Sequence, residues 1–135
     1  MSADDADALP MPLILLVEDE ILISDMMVDA LAEAGFSSLV ASDGEAGMAL
    51  LTEHGHAIRG LITDINLNSA MNGWELGRAA RERVSYLPIV YVSGASGHEW
   101  ASRGVPSSLM ITKPFAPAQV VAAISSLLVT SDAAT

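Results

Sequence analysis

Short apolar runs alternate along the chain with longer stretches in which apolar residues recur at helical spacing. The runs Leu13–Val17 and Pro88–Val92 are apolar at every position, as expected of parallel strands that helices cover on both faces. Five such runs alternate with five helical stretches, which predicts an α/β fold with a doubly wound, five-stranded parallel sheet. The other three predicted strands are Ser38–Ala41, Gly60–Thr63 and Leu109–Thr112.

The helical stretches carry start and stop signals. The first covers Ile21–Ala34, with Ile23 and Met27 on one face, and Gly35 ends it. Residue pairs with the spacing of a capping box predict where the next three helices begin, and a proline predicts the start of the fifth. These signals are Ser42 with Glu45, Asn72 with Glu75, Ser96 with Glu99, and Pro117.

Length and composition predict one domain with short polar ends. A chain of 135 residues can bury roughly two-thirds of its unfolded surface, which is enough for a core. We expect residues 1–11 to form a disordered acidic tail, residues 12–130 the domain, and residues 131–135 a short C-terminal tail. The chain has no cysteine, which excludes disulfides, thiol catalysis and thiolate metal sites.

Charge and hydropathy restrict the expected partners and location. The formal net charge of −11 would repel phosphate backbones, so nucleic acid is not an expected partner. No apolar run approaches the ~20 residues of a membrane span, and the acidic N-terminus lacks the basic and apolar regions of a secretory signal. The sequence therefore predicts a cytoplasmic protein with no membrane partner.

Charged and hydroxyl side chains follow four of the five predicted strands. Glu18 and Asp19 follow the first strand, Asp64 the third, Ser93 the fourth and Lys113 the fifth. Open α/β sheets bind ligands at the carboxyl ends of their strands, so we expect these side chains to converge. Carboxylates placed side by side repel each other unless a cation lies between them, and their oxygens suit Mg²⁺. A carboxylate can also act as a nucleophile towards a phosphoryl group, whose oxygens an ammonium and a hydroxyl group can bind.

Four motifs at these strand ends occur in the order and at the spacing of a known family: ILLVEDE, LITDINL, IVYVSGAS and ITKPF. Over about residues 12–129 the chain resembles the receiver domain of two-component response regulators. The resemblance implies the flavodoxin-like strand order 2-1-3-4-5, a bound Mg²⁺ and a cis Lys113–Pro114 bond. It also implies residue roles. By this resemblance Asp64 is the phosphoacceptor, Ser93 is the switch hydroxyl, and Lys113 pairs with the phosphate. The implied metal site consists of Glu18, Asp19, Asp64 and the backbone carbonyl of Asn66, and Asp19 is a direct ligand.

The sequence departs from the family pattern at three places. Glutamate stands at position 18, where aspartate is commoner, and the loop from Ile65 to Gly73 lacks the usual proline and is one residue longer. Met110 occupies the switch position at which the family usually has tyrosine or phenylalanine. A methionine can fill the same cavity because it is flexible and apolar, but it offers no rotating phenol.

The resemblance also implies partners and leaves two alternatives open. The phosphoryl donor is expected to be a histidine kinase or a histidine phosphotransfer protein, and an unknown downstream protein reads the signal. Enzyme activity is not expected beyond self-phosphorylation from a donor and autodephosphorylation. One alternative is a Mg²⁺-dependent phosphohydrolase with an aspartyl nucleophile, although the only Asp-x-Asp, Asp5 to Asp7, lies in the tail. The other is a degenerate receiver used as a scaffold, against which the complete set of strand-end residues argues.

Overall fold

Five parallel strands form one sheet in the order β2-β1-β3-β4-β5, which confirms the predicted fold class and strand order. The computed structural model describes residues 11–95 and 97–134. The strands are β1 Leu13–Val17, β2 Ser37–Ala41, β3 Ile58–Asp64, β4 Ile89–Ser93 and β5 Ser108–Thr112. The helices are α1 Ile21–Glu33, α2 Gly44–His54, α3 Gly73–Arg83, α4 Trp100–Arg103 and α5 Pro117–Ala134, with a 3₁₀ turn at Gly97–Glu99.

Each face of the sheet has its own apolar core. Leu15 and Val17 of β1 point into a core shared with α2 and α3, whereas Ile14 and Leu16 point into a core shared with α1 and α5. Alternation of side chains along a strand produces this division, and it explains why β1 must be apolar at every position. The sheet is therefore covered on both sides, and its carboxyl edge remains open.

The helix starts were predicted with mixed success. The capping box of Asn72 and Glu75 is present, with Asn72 Oδ1 accepting from the N–H of Glu75 at 2.9 Å. The box of Ser42 and Glu45 was wrong, because Asp43 is the N-cap of α2 and accepts from the N–H of Ala46 at 2.7 Å. An aspartate one position later offers a carboxylate at the cap, and Glu45 is thereby left available for another contact.

Some predictions concern residues that the structure does not describe. The acidic tail falls almost wholly on residues 1–10, and the capping box with Glu99 depends on Ser96, so both lie outside the described residues. At the other end, α5 continues to Ala134, through most of the segment predicted as a C-terminal tail. Within the described ranges, no helix combines the length and apolar character needed to cross a membrane.

An aromatic pair fills the core under α3. Trp74 is 1% exposed and its ring centroid lies 4.8 Å from that of Tyr91, which is fully buried. The Tyr91 hydroxyl accepts from the N–H of Val105 at 3.3 Å. A Cβ atom at Gly77 would collide with the Tyr91 hydroxyl and lie 2.9 Å from its ring atoms Cε1 and Cζ. The helix thus approaches the sheet at a point where only glycine fits.

We expect Gly77→Ala to destabilise the protein by about 1–3 kcal/mol, as overpacking of a core does. At a solvent-exposed position in a helix, Gly→Ala would stabilise the protein by roughly 0.5–1 kcal/mol, so the sign of the change in unfolding free energy distinguishes the two environments. Urea denaturation of the variant measures it. In a Tyr91→Phe background the loss should be smaller, because the closest clashing atom is gone. An increase in the free energy of unfolding of Gly77→Ala would contradict this packing.

Candidate functional site

The carboxyl edge of the sheet brings together the charged residues predicted from the strand ends. Asp64 ends β3 and Lys113 follows β5, and the ammonium of Lys113 donates to Asp64 Oδ2 at 2.9 Å. The same ammonium lies 3.2 Å from Glu18 Oε1 and 4.0 Å from Glu20 Oε1. One lysine therefore lies between acidic groups that come from two neighbouring strands.

Lys113 acts as the countercharge of two buried carboxylates. Glu18 is 5% exposed and Asp64 is 7% exposed, so neither charge is well hydrated. Burial alone would lower the pKa of the Lys113 ammonium, but the hydrogen bonds and charges of Asp64 and Glu18 outweigh it and raise the pKa. The lysine is consequently charged at neutral pH. Its charge offsets the repulsion between these carboxylates, which the sequence analysis expected a metal ion alone to relieve.

Glu18 is the group whose protonation is most perturbed. Burial raises the pKa of Glu18 to about 7, and the charge of Asp64 and a hydrogen bond with Asp19 act in the same direction. The N–H of Glu20, which donates to Glu18 Oε2 at 3.1 Å, and the charge of Lys113 oppose that rise. In the metal-free protein Glu18 thus titrates close to neutral pH, far above its ordinary value of 4.5.

This shift makes the stability of the metal-free protein depend on pH. A carboxyl with a higher pKa in the folded state binds more protons than the unfolded chain between its two pKa values, so its contribution to stability falls as pH rises from about 4.5 to 7. Glu18→Gln removes that contribution. In EDTA, we expect the variant to gain stability relative to wild type from pH 5 to pH 8, as measured by urea denaturation. A stability difference that is the same at all these pH values would refute the assignment.

An acidic cluster stands beside this pair. Glu18, Asp19 and Glu20 each present a carboxylate oxygen, and these oxygens all lie within 4.8 Å of one another. Oxygen ligands of this kind fit a hard cation such as Mg²⁺, which keeps several of its waters and binds protein through one or two carboxylates. Among the described residues this cluster does not include Asp64, whose carboxylate is held by Lys113. Sequence reasoning did not assign Glu20 to the site, although it is the next acid in the ILLVEDE motif.

Asn66 lies two residues beyond the end of β3, and Ser93 is the last residue of β4. The N–H of Asn66 donates to Asp64 Oδ1 at 3.3 Å, so the two oxygens of the Asp64 carboxylate have different donors. Ser93 is buried, and its hydroxyl oxygen accepts from the N–H of Ala95 at 3.2 Å. The carbonyl of Ser93 accepts from the N–H of Lys113 at 2.9 Å, and the Lys113–Pro114 bond is cis. The backbone therefore joins the Ser93 and Lys113 ends of the sheet directly.

Met110 is half-buried beneath the 3₁₀ turn. Its side chain packs against the core shared by α2 and α3, and a Cβ atom at Gly97 would lie 3.2 Å from Met110 Cε. The methionine therefore contacts the segment that follows Ser93.

An apolar cleft adjoins the lysine. Ile23 and Met26 of α1 face Pro114 and Phe115 across a cavity of about 400 Å³, which Lys113 also lines. Two exposed residues at the start of the same helix, Ile21 and Leu22, extend the apolar surface. The sequence offered little signal for this cleft, because α1 was interpreted only through its buried face.

Comparisons with known proteins identify the family. A sequence model of the response regulator receiver domain matches residues 14–125. A solved response regulator receiver protein from Sinorhizobium medicae WSM419 is similar at 40% sequence identity and a TM-score of 0.87, over 92% of this chain and 99% of that one.

Two curated relatives give the same result. A probable transcriptional regulatory protein of Picosynechococcus sp. is 31% identical over 121 residues. The match covers 85% of this chain and 48% of the relative, so the chain spans about half of that protein. A probable chemotaxis protein CheY of Rhizobium etli is 27% identical over 120 residues, in a match that covers 84% of this chain and 90% of the relative. Receiver domains are typically non-enzymatic signalling domains. With the fold, the strand-end residues and these matches in agreement, the chain belongs to the family of response regulator receiver domains.

Proposed function

We propose that this chain is a phospho-receiver switch in which Asp64 accepts a phosphoryl group from a histidine kinase or a histidine phosphotransfer protein. The observation that carries the proposal is the contact of 2.9 Å between the Lys113 ammonium and Asp64 Oδ2 at the open edge of the sheet. In this proposal the carboxylate of Asp64 is the nucleophile and the ammonium of Lys113 binds phosphate, and the acidic cluster lies next to them.

The proposed transfer uses groups that the chain itself supplies. An oxygen of Asp64 attacks phosphorus, the phosphorus–nitrogen bond of the donor phosphohistidine breaks, and the histidine ring keeps the electron pair and takes up a proton. The product is an acyl phosphate on Asp64. Lys113 then exchanges a carboxylate partner for phosphoryl oxygens, and because its pKa is raised it keeps its charge throughout.

The acidic cluster is the part of the site that fits a cation. Asp19 and Glu18, with the carbonyl of Asn66 and the carboxylate of Asp64, would hold Mg²⁺, and Glu20 is positioned to join them. When bound, Mg²⁺ supplies positive charge that neutralises the incoming phosphoryl oxygens. Glu18 acts from a buried position, and at neutral pH its deprotonation favours cation binding.

The signal is proposed to leave the site through β4 and β5. Phosphoryl oxygens on Asp64 attract the Ser93 hydroxyl and the Lys113 ammonium, and the backbone hydrogen bond between Lys113 and Ser93 makes the two strand ends respond together. Met110 contacts Gly97 and follows that movement without a hydrogen-bonding group of its own. Residues 93–95 and 97–100 and the face that includes β5 and α5 would then present a changed surface to the downstream protein.

This chain has an apolar surface near Asp64 on which the phosphodonor protein could dock. The apolar cleft between α1 and Phe115 opens next to Lys113, and the exposed side chains of Ile21 and Leu22 flank it. A partner that covers this surface would exclude water from the reacting groups while its histidine approaches the carboxylate.

Mass spectrometry after incubation with a small acyl-phosphate donor and Mg²⁺ tests the proposal. We expect one added phosphoryl group per chain, lost on treatment with hydroxylamine, which cleaves acyl phosphates. Catalytic turnover of generic phosphoesters would instead favour a phosphohydrolase. Complete absence of labelling at saturating donor and Mg²⁺ would favour a scaffold.

A further inference from the structure

The loop between β3 and α3, residues 65–72, is held from outside by the first turn of α2. Glu45 Oε1 accepts from the N–H of Met71 at 3.1 Å, although the two residues are 26 positions apart. Ser69 adds a bridge, because its hydroxyl donates to the carbonyl of Met71 at 2.9 Å and accepts from the N–H of Gly44 at 3.2 Å. Two side chains thus join a helix start to the loop that follows the phosphoacceptor.

The approach of α2 to this loop is close enough to require glycine. A Cβ atom at Gly44 would collide with the carbonyl of Met71 and lie 2.9 Å from its Cβ. Hydrogen bonds from its own N–H and from Met71, followed by those from Ser69 and Ala70, lower the pKa of the Glu45 carboxyl. The charged carboxylate is therefore the form that holds the loop at neutral pH.

The anchored segment includes Asn66 and is held at both ends by hydrogen bonds. At its near end, the N–H of Ile65 donates to the carbonyl of Val92 and the N–H of Asn66 donates to Asp64. At its far end, the N–H of Gly73 donates to the carbonyl of Ile65 at 2.9 Å. Between these points a short turn follows Asn66 directly. In this turn the N–H of Ser69 donates to the carbonyl of Leu67 at 2.8 Å. The loop contains no proline, so its hydrogen bonds with α2 are contacts that can restrict it.

We infer that Glu45, assisted by Ser69, is a positioning residue that fixes the 65–72 loop and thereby the carbonyl of Asn66 at the cation site. This inference rests on the proposed function for the role of Asn66. It assigns a task to a residue that the sequence pattern had placed in a helix cap. It also connects α2, which contributes no residue to the site, to the affinity of that site for Mg²⁺.

Removal of the anchor should weaken Mg²⁺ binding without unfolding the protein. Residues that orient metal ligands typically change metal affinity by 10–100-fold, and since Glu45 is exposed we expect Glu45→Ala to raise the Kd for Mg²⁺ by about tenfold, at the lower end of that range. Amide NMR titration with Mg²⁺ measures the Kd. In the same spectra the N–H groups of Ala70 and Met71 should exchange faster with solvent, a change that a role in helix stability alone would not produce.

Three further single variants and one double variant make the comparison specific. Glu53→Ala removes the same side chain from the other end of α2, where its recorded partner is His54, and should leave the Kd within twofold of wild type. Ser69→Ala should raise the Kd, and combined with Glu45→Ala it should add less than its separate effect, because both act through one loop. Glu45→Gln should recover part of the affinity through its amide oxygen.

The outcomes separate this inference from the proposed function. If wild type carries the label on Asp64 and Glu45→Ala binds Mg²⁺ as wild type does, the inference is wrong and the proposed function stands. If wild type binds Mg²⁺ but accepts no phosphoryl group, the proposed function fails, and the Kd and amide exchange of Glu45→Ala still decide the inference. Equal effects of Glu45→Ala and Glu53→Ala on the Kd would also overturn it.

Discussion

Asp64→Asn should abolish incorporation of the phosphoryl group, the largest effect expected of any single change in this chain. The carboxylate is the proposed nucleophile, and an amide oxygen is a far weaker one that forms no stable acyl phosphate. The amide oxygen can still accept from Lys113, whereas the amide NH2 cannot accept from the N–H of Asn66, so only one of the two hydrogen bonds is lost and the fold should persist. Intact-mass measurement after incubation with the acyl-phosphate donor and Mg²⁺ gives the result directly.

Asp25→Asn is the matched control for this experiment. Asp25 is an exposed aspartate on α1, and its substitution changes the net charge by the same amount without touching the edge of the sheet. It should be labelled as fully as wild type. Stoichiometric labelling of Asp64→Asn that resists dilution of the donor would place the acceptor at another residue and overturn the assignment.

The sequence was sufficient for the fold because the pattern that specifies it is local. Apolar runs of strand length, turn residues and helical spacing follow from burial on two faces of a sheet, and the parallel strand ends then bring distant residues to one edge. Asp64 and Lys113, which are 49 positions apart, could be expected to lie near each other for this reason. Their contact is thus a consequence of topology that the strand assignments already contain.

The contacts that individual side chains make at the site could not be predicted from the pattern of strands and helices. Acid repulsion at the end of β1 predicted a cation, yet a sequence pattern does not say that Lys113 reaches both Glu18 and Asp64. Glu45 shows the same limit. Its spacing from Ser42 suggested a capping box, but Asp43 competes for the cap, and the carboxylate of Glu45 finds backbone donors in a loop that is distant in sequence. Contacts of this kind depend on how helix and loop meet in three dimensions.

Lys113→Met should destabilise the metal-free protein by about 3 kcal/mol above pH 7, the lower end of the cost of removing one partner of a buried ion pair. Its side chain is 20% exposed, whereas those of Glu18 and Asp64 are 4% and 7% exposed, so the carboxylates are left uncompensated away from water. Methionine retains the apolar stem of the lysine and fills a similar volume. The loss therefore reports mainly the missing charge, and urea denaturation in EDTA measures it.

The pH dependence and the response to Mg²⁺ distinguish this cause from a loss of packing. Lys113 lowers the pKa of Glu18, so without it that pKa rises above the wild-type value of about 7. Glu18 then takes up a proton more readily on folding, and the cost of Lys113→Met should shrink as pH falls from 8 to 5.

A divalent cation replaces the missing charge, so saturating Mg²⁺ should raise the midpoint temperature of the variant more than that of wild type. In a Glu18→Gln background the same substitution should cost less, because one of the two buried charges is already gone. A cost that stays constant from pH 5 to pH 8, in Mg²⁺ and in the Glu18→Gln background alike, would show that the loss of the lysine charge is not its cause.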